Sequence, residues 1–233
     1  FKLRMYFSRL LDAFAACTVV SEQERRIFIE HFPNQAHQVN VLPNCINLDD
    51  YQGLSIDVHQ HHMIFTGSFR YKPNYDAMLW FVDNVFPLIL KQVSDAKLII
   101  TGDHANLPLP RTENTTFAGY VDDIKSLIAS CGVSLSPLWS GGGTRLKILE
   151  AMAIGTPVVA TSKGAEGLIV QNGKHILIAD QPELFAKNVI KVMREQELRD
   201  SLSANALRLV QENYDWKVVM PKLLGLLENI VAN

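Results

Sequence analysis

Past His62 the chain alternates short apolar runs with longer stretches of helical periodicity. Met63-Ile64-Phe65-Thr66, Lys97-Leu98-Ile99-Ile100-Thr101, Thr116-Phe117-Ala118, Val133-Ser134-Leu135-Ser136, Pro157-Val158-Val159-Ala160-Thr161 and Ile176-Leu177-Ile178 read as strands. Helices are predicted from Asn74 to about Gln92, Asp122 to Ser130, Thr144 to Ala153, Pro182 to Arg194, Gln196 to Glu212 and Trp216 to Val231. Strands that are apolar at consecutive positions and separated by helices must be buried on both faces. The fold class is therefore α/β, a parallel sheet with helices on both sides.

The opening segment is organised differently. Phe1 to Ala16 reads as a helix, Cys17-Thr18-Val19-Val20 as a strand, and Ser21-Glu22-Gln23-Glu24 as a capping box that starts a helix through about His31. Val39-Asn40-Val41-Leu42 is a second strand, closed by Pro43-Asn44. One β-α-β unit alone leaves apolar faces uncovered. With no initiator Met and a first residue already inside a helix, the chain is expected to be a piece of a longer protein. From Asn47 to His62 the composition turns polar, and Asp49-Asp50, Gly53, His59 and His61 mark a linker.

Composition narrows the function classes. The 233 residues carry 22 Lys and Arg against 24 Asp and Glu, a formal net charge of −2. That excludes a nucleic-acid binder driven by bulk positive charge and an acidic disordered tail. Cys17, Cys45 and Cys131 are scattered, leave one unpaired and have no metal-like spacing, as in a reducing compartment. No apolar run reaches the roughly 18 residues of a membrane span.

In open α/β sheets, ligands sit beyond the carboxyl ends of the strands. Four such loops are rich in Gly and polar residues: Gly67-Ser68-Phe69-Arg70-Tyr71-Lys72, Gly102-Asp103, Gly119-Tyr120-Val121-Asp122, and Trp139-Ser140-Gly141-Gly142-Gly143-Thr144-Arg145. In the last, three consecutive glycines let backbone N–H groups approach a ligand and run into a helix N-terminus. That combination suits a phosphate or diphosphate, with Arg145 and Lys147 adding positive charge, although a flexible strand-to-helix turn has the same composition. The spacing is neither a P-loop nor GxGxxG. Glu150 reads equally as a partner of Lys147, three residues earlier, or as an acceptor for ribose hydroxyls.

Leu149-Glu150-Ala151-Met152-Ala153-Ile154-Gly155-Thr156-Pro157-Val158-Val159-Ala160-Thr161 resembles the signature of family 4 retaining glycosyltransferases of GT-B fold. Phe65-Thr66-Gly67, Gly119-Tyr120-Val121, Ser136-Pro137, Gly164-Ala165-Glu166-Gly167 and Glu212-Asn213-Tyr214-Asp215-Trp216 fit the same family in the same order. The resemblance implies two Rossmann-like domains facing across a cleft. Residues 1–46 would be the tail of the acceptor domain, 47–214 the nucleotide-sugar donor domain, and 215–233 a helix crossing back. It further implies transfer of a sugar from a nucleotide-diphosphate donor, with retained configuration, to a saccharide or lipid-linked acceptor in polysaccharide biosynthesis. Such a piece alone is expected to be inactive.

By the same resemblance, Glu150 is the second glutamate of a Glu-x7-Glu motif and binds the donor ribose, while Gly142 stands where the first would be. Ser68 and Pro73 stand where an Arg and a Lys commonly neutralise the diphosphate, so Arg70, Lys72, Arg145 and Lys147 are the candidate replacements. With the Gly-Gly-Gly-Thr-Arg-Leu-Lys loop, these departures resemble a subgroup of bacterial exopolysaccharide-type transferases. The implied donor site is then Gly67, Arg70, Lys72, Val121 (through its backbone), Gly141, Gly142, Gly143, Thr144, Arg145, Lys147 and Glu150; the catalytic residues are left unassigned.

No Asp-x-Asp metal site occurs on a loop, so metal-independent chemistry with no cofactor is expected; Asp122-Asp123 and Asp49-Asp50 read as a helix cap and a linker. The expected partners are the donor and the acceptor, without nucleic acid. The implied location is cytoplasmic, with peripheral association at the inner face of the membrane compatible with such acceptors. Two alternatives remain: a non-catalytic nucleotide-diphosphate-binding module of the same fold, and a nucleotide-sugar epimerase. Val58-His59-Gln60-His61-His62 reads as a solvated loop rather than a metal tract.

Overall fold

The computed structural model describes residues 2–54, 56–109 and 112–232. Two parallel sheets are present among them. The first is small, pairing β1 (Cys17–Val19) with β2 (Val39–Val41) around α2 (Glu22–His31), and α1 (Lys2–Ala13) precedes it. The second has six strands: β3 (His59–Thr66), β4 (Lys97–Thr101), β5 (Thr115–Gly119), β6 (Cys131–Ser136), β7 (Val158–Ala160) and β8 (Leu177–Ile178). Their order is β5-β4-β3-β6-β7-β8, every pairing parallel. The chain winds outward one way from β3 and then the other way from β6. The direction reverses between these two central strands, where open sheets of this kind form their ligand crevice.

The strand pattern explains the two-sided burial. Met63 and Phe65 point into one apolar cluster with α7 (Pro182–Arg194) and the helices following β3. Ile64, between them, points into the other with α6 (Leu146–Ile154) and α8 (Gln196–Asn213). α5 (Ile124–Ala129) and α9 (Trp216–Val231) complete the set. The predicted Asn74–Gln92 helix exists but is not uniform. It comprises α3 (Lys72–Trp80), a π-turn over Phe81–Val85 and α4 (Phe86–Leu90). Pro87 cannot donate to the residue four before it and would clash with that carbonyl, so the wider turn absorbs the mismatch.

The linker is the main departure from the expected organisation. Leu48–Tyr51 forms a 3-10 turn with Leu48 buried, and His59 to His62 belong to β3. His61 bonds Asp95 at 2.8 Å, and the rings of His59 and His62 lie 4.5 Å apart. These polar residues occupy the surface end of a central strand whose apolar half is Met63-Ile64-Phe65. Among the described residues, no group of three or more His, Cys, Asp or Glu is placed to hold a metal ion. None of their helices is long and apolar enough to cross a membrane.

The capping box at Ser21 forms: Ser21 Oγ accepts from the Glu24 N–H at 3.1 Å, and Glu24 reaches back to the Val20 N–H at 3.1 Å. Ser21→Ala is expected to cost about 1 kcal/mol, readable as a lowered urea midpoint with an unchanged slope. The β1–β2 unit carries the uncovered apolar surface expected of it, with Phe7, Phe14 and Ile27 exposed. It meets the larger sheet at a crossing of two segments, where Ile46 and Asp215 bridge through Ile46 N–H to the Tyr214 carbonyl and Trp216 N–H to the Ile46 carbonyl.

Candidate functional site

The loops after β3 and β6 flank the crevice. At the end of β3, Gly67 adopts a φ of +150°, and a Cβ there would come within 2.7 Å of Asn74 Nδ2 and 3.0 Å of Lys147 Nζ. The absent side chain is what lets those two groups close over the strand end. Asn74 is buried in the first turn of α3, donates to the Ser68 carbonyl at 2.9 Å and accepts from Lys147 Nζ at 3.1 Å. The ammonium also lies 4.2 Å from the centre of the Phe65 ring. Burial pushes the Lys147 pKa down to about 7, assisted by the nearby Arg145 charge and opposed by Glu150. A cation with one neutral side-chain acceptor and an aromatic face is poised for an anion.

The other candidate cations are committed elsewhere. Arg70 is exposed and paired with Asp103, and Lys72 is exposed and paired with Asp76 one helical turn on. Arg145 is buried, and its guanidinium donates to the carbonyls of Gly141 (3.1 Å), Gly142 (3.4 Å) and Lys163 (3.1 Å). It folds the glycine loop rather than facing the crevice. Gly141 and Gly143 take φ values of +91° and +89° around it, which only glycine adopts without strain. The helix begins slightly later than the sequence implied, at Leu146, and its cap, Arg145, makes no side-chain cap bond. The first N–H groups of α6 therefore have no side-chain partner at the cap.

Glu150 sits one turn beyond Lys147. Burial raises its pKa, opposed by the neighbouring Tyr51 hydroxyl and by the charges of Lys147 and Lys125. Val121 follows β5, half-buried, at the start of the loop into α5, with Asp123 capping that helix. Thr144 faces the smaller sheet, accepting from Asn44 Nδ2 at 2.5 Å. The exposed Gly142 and Gly143 line a cavity of about 210 Å³, closed on its far side by Ser21, Gln23 and Glu24. Sequence reasoning missed Asn74, Tyr51, Lys125 and Asn44. Only Asn74, a polar residue at a helix start beside the candidate loop, carried any local signal.

A half-buried lysine and a helix N-terminus without a side-chain cap lie at the switch point of a doubly wound α/β domain, the place where such domains hold anionic ligands. The family profile described as "Glycosyl transferases group 1" matches residues 60–195, and the chain belongs to that family of enzymes. It is 28% identical over 179 residues to an uncharacterized 44.6 kDa protein in the cps region of Klebsiella pneumoniae, covering 72% of this chain and 46% of that one. It is 26% identical over 232 residues to the phosphatidyl-myo-inositol mannosyltransferase of Mycobacterium tuberculosis, covering 92% and 59%. The chain thus spans about half the length of these curated relatives.

Solved structures share the GT-B fold. A glycosyltransferase from Rickettsia africae superposes with a TM-score of 0.79 at 15% identity, over 100% of this chain and 68% of that one. Anabaena Alr3699/HepE, in complex with UDP and glucose, superposes with a TM-score of 0.72 at 15% identity, over 92% and 63%.

Proposed function

We propose that this chain is the donor-binding part of a retaining glycosyltransferase that moves a sugar from a nucleotide-diphosphate donor to a saccharide or lipid-linked acceptor. In this reading residues 47–214 hold the donor, 1–46 are the tail of the acceptor domain and 215–233 cross back to it. The observation that carries it is Lys147, held over the end of β3 beside the open N-terminus of α6. As the bond from the sugar to the diphosphate breaks, negative charge grows on the departing phosphate. A fixed ammonium and helix N–H groups stabilise that charge more in the transition state than in the ground state. They supply positive charge without a metal ion, which fits metal-independent transfer. Glu150, one turn into α6, is the proposed acceptor for ribose hydroxyls, and the cavity beside Gly142 and Gly143 is the proposed place for the sugar. The relative in a cps region and the relative named as a phosphatidyl-myo-inositol mannosyltransferase support a polysaccharide or lipid-linked product.

Calorimetric titration with UDP, GDP and ADP tests the donor site. One diphosphate is expected to bind in the micromolar to low-millimolar range, roughly tenfold more weakly to Glu150→Ala. Equal binding by the variant would remove Glu150 from the site, and no heat from any of the three with folded protein would remove the reading. Gly142, standing where the family has a glutamate, favours a second reading in which binding survives without transfer. Release of nucleoside diphosphate by a protein containing both domains decides between the two.

A further inference from the structure

The cavity beside the glycine loop is lined by residues of both sheets' units, and its walls differ in chemistry. Gly142 and Gly143 form one wall without side chains, and a Cβ on either would meet nothing within 4 Å. Side-chain recognition of an occupant must come from the other walls. Most polar side chains there serve the protein's own backbone or a neighbouring loop. Ser21 and Glu24 form the reciprocal cap described above, Thr144 accepts from Asn44, and the Tyr214 hydroxyl accepts from the Ile169 N–H at 2.9 Å. Glu166, in the turn after β7, differs in that its bonds run to side chains. Oε1 accepts from Gln23 Nε2 of α2 at 3.2 Å, Oε2 is paired with Lys163, and the Arg145 guanidinium lies 4.0 Å from Oε2.

We propose that Glu166 binds the sugar of the donor, accepting hydrogen bonds from its hydroxyls, and that Gln23 reaches over from the smaller sheet's unit to bond the same sugar. A carboxylate offers roughly four lone-pair positions. Gln23 and Lys163 occupy two of them, which leaves capacity for an occupant of the cavity that Glu166 lines. The Lys163 bond, aided by the Lys163 and Arg145 charges and opposed by partial burial, holds the Glu166 pKa below the ordinary glutamate range. The group therefore stays ionised, and a charged acceptor takes stronger bonds from hydroxyls than a neutral amide does. Gln23 is exposed on its helix, so its amide can turn from Glu166 to a sugar hydroxyl without disturbing buried structure. With one group from each unit, the sugar is gripped between the two, whereas Lys147 and α6 hold the diphosphate from the larger sheet's side.

This inference rests on the donor-site reading above, and the experiment separates the two. The chain is titrated with UDP, GDP and ADP, and the diphosphate that binds is compared with its hexose conjugates: UDP-glucose and UDP-galactose, GDP-mannose, or ADP-glucose. The readout is the ratio of affinities, conjugate to free diphosphate, in the unmodified chain, in Glu166→Gln and in Gln23→Ala. Glu166→Gln keeps the size of the side chain and removes its charge. It is expected to leave the affinity for free diphosphate within about twofold and to lower the ratio for the best conjugate about tenfold. Gln23→Ala, an exposed change on the other unit, is expected to lower the same ratio about threefold with an unchanged thermal midpoint. It keeps the inference open to test even where Glu166→Gln loosens the turn. A ratio unmoved in either variant would remove that residue from the sugar. Equal losses for conjugate and free diphosphate in Glu166→Gln would leave Glu166 as a support for Arg145 and the glycine loop, and would overturn the proposal while the donor site stands. Failure of the unmodified chain to bind any of the diphosphates would overturn both.

Discussion

Lys147→Met is expected to weaken nucleoside diphosphate binding by about a hundredfold while making the unliganded chain more stable. Both effects have one cause. The ammonium is held partly away from water between Phe65, Asn74 and Gly67, with Asn74 Oδ1 as its hydrogen-bonding partner among the described residues. Its charge is therefore costly until an anion arrives, and a charge-assisted bond formed there contributes about 3 kcal/mol to binding. The stability effect follows from proton linkage. In the unfolded chain the lysine keeps its proton up to its ordinary pKa near 10.5, whereas in the folded chain it gives it up near 7. Between those values the unfolded state binds more protons, so this group makes stability rise with pH and withdraws that contribution as pH falls through 7. Methionine fills similar space without charge. At pH 6 the variant is expected to gain on the order of 1–2 kcal/mol in urea denaturation and to lose the upward slope between pH 7 and 10. In calorimetry near pH 8, the unmodified chain is expected to take up a proton on binding, seen as a heat that depends on the buffer's ionisation enthalpy. Methionine should remove that dependence. Unchanged affinity in Lys147→Met would place the diphosphate elsewhere.

The sequence alone located the site's neighbourhood better than its working parts. Every strand of the larger sheet was legible, because a strand covered on both faces is apolar at consecutive positions, as Met63-Ile64-Phe65 is. The Ser21 cap was legible because it is local: donor and acceptor lie three residues apart. The same reasoning was weakest where partners are distant. Four basic loop positions, Arg70, Lys72, Arg145 and Lys147, stood as candidate phosphate ligands, yet Arg70 is taken by Asp103, thirty-three residues on, and Arg145 by the Lys163 carbonyl. Only chain folding decides which cation is left facing the crevice. Tyr51 was hidden for a related reason. Its surroundings read as polar linker, and its neighbour Glu150 lies on the far side of four strands in sequence. His59 and His62 were misread because a strand may extend past its apolar half to the surface, where composition resembles a loop.

Gly164→Ala is expected to be among the most damaging single-methyl additions to this fold, although nothing catalytic is assigned to Gly164. The turn after β7 folds back onto the end of β6. Thr161 N–H donates to the Ser136 carbonyl at 3.2 Å, Gly164 N–H donates to Thr161 Oγ1 at 2.9 Å, and Ser136 Oγ donates to the Gly164 carbonyl at 3.3 Å. A Cβ on Gly164 would overlap the Ser136 carbonyl oxygen. Both parties to that overlap are backbone, fixed by the sheet on one side and by three hydrogen bonds on the other, so no rotamer change relieves it. A cost of about 3 kcal/mol follows, lowering Tm by roughly 6–12 °C for a chain of this size. The damage should also reach the crevice. Lys163, the preceding residue, supplies one of the three carbonyls that hold the Arg145 guanidinium, so a displaced turn loosens the glycine loop and weakens diphosphate binding even where the protein remains folded. Gly142→Ala is the matched control: an added Cβ there meets nothing within 4 Å, and its stability should stay within about 0.5 kcal/mol of the unmodified chain. Equal thermal midpoints for the two variants would show that the turn after β7 yields, and that Arg145 does not depend on it.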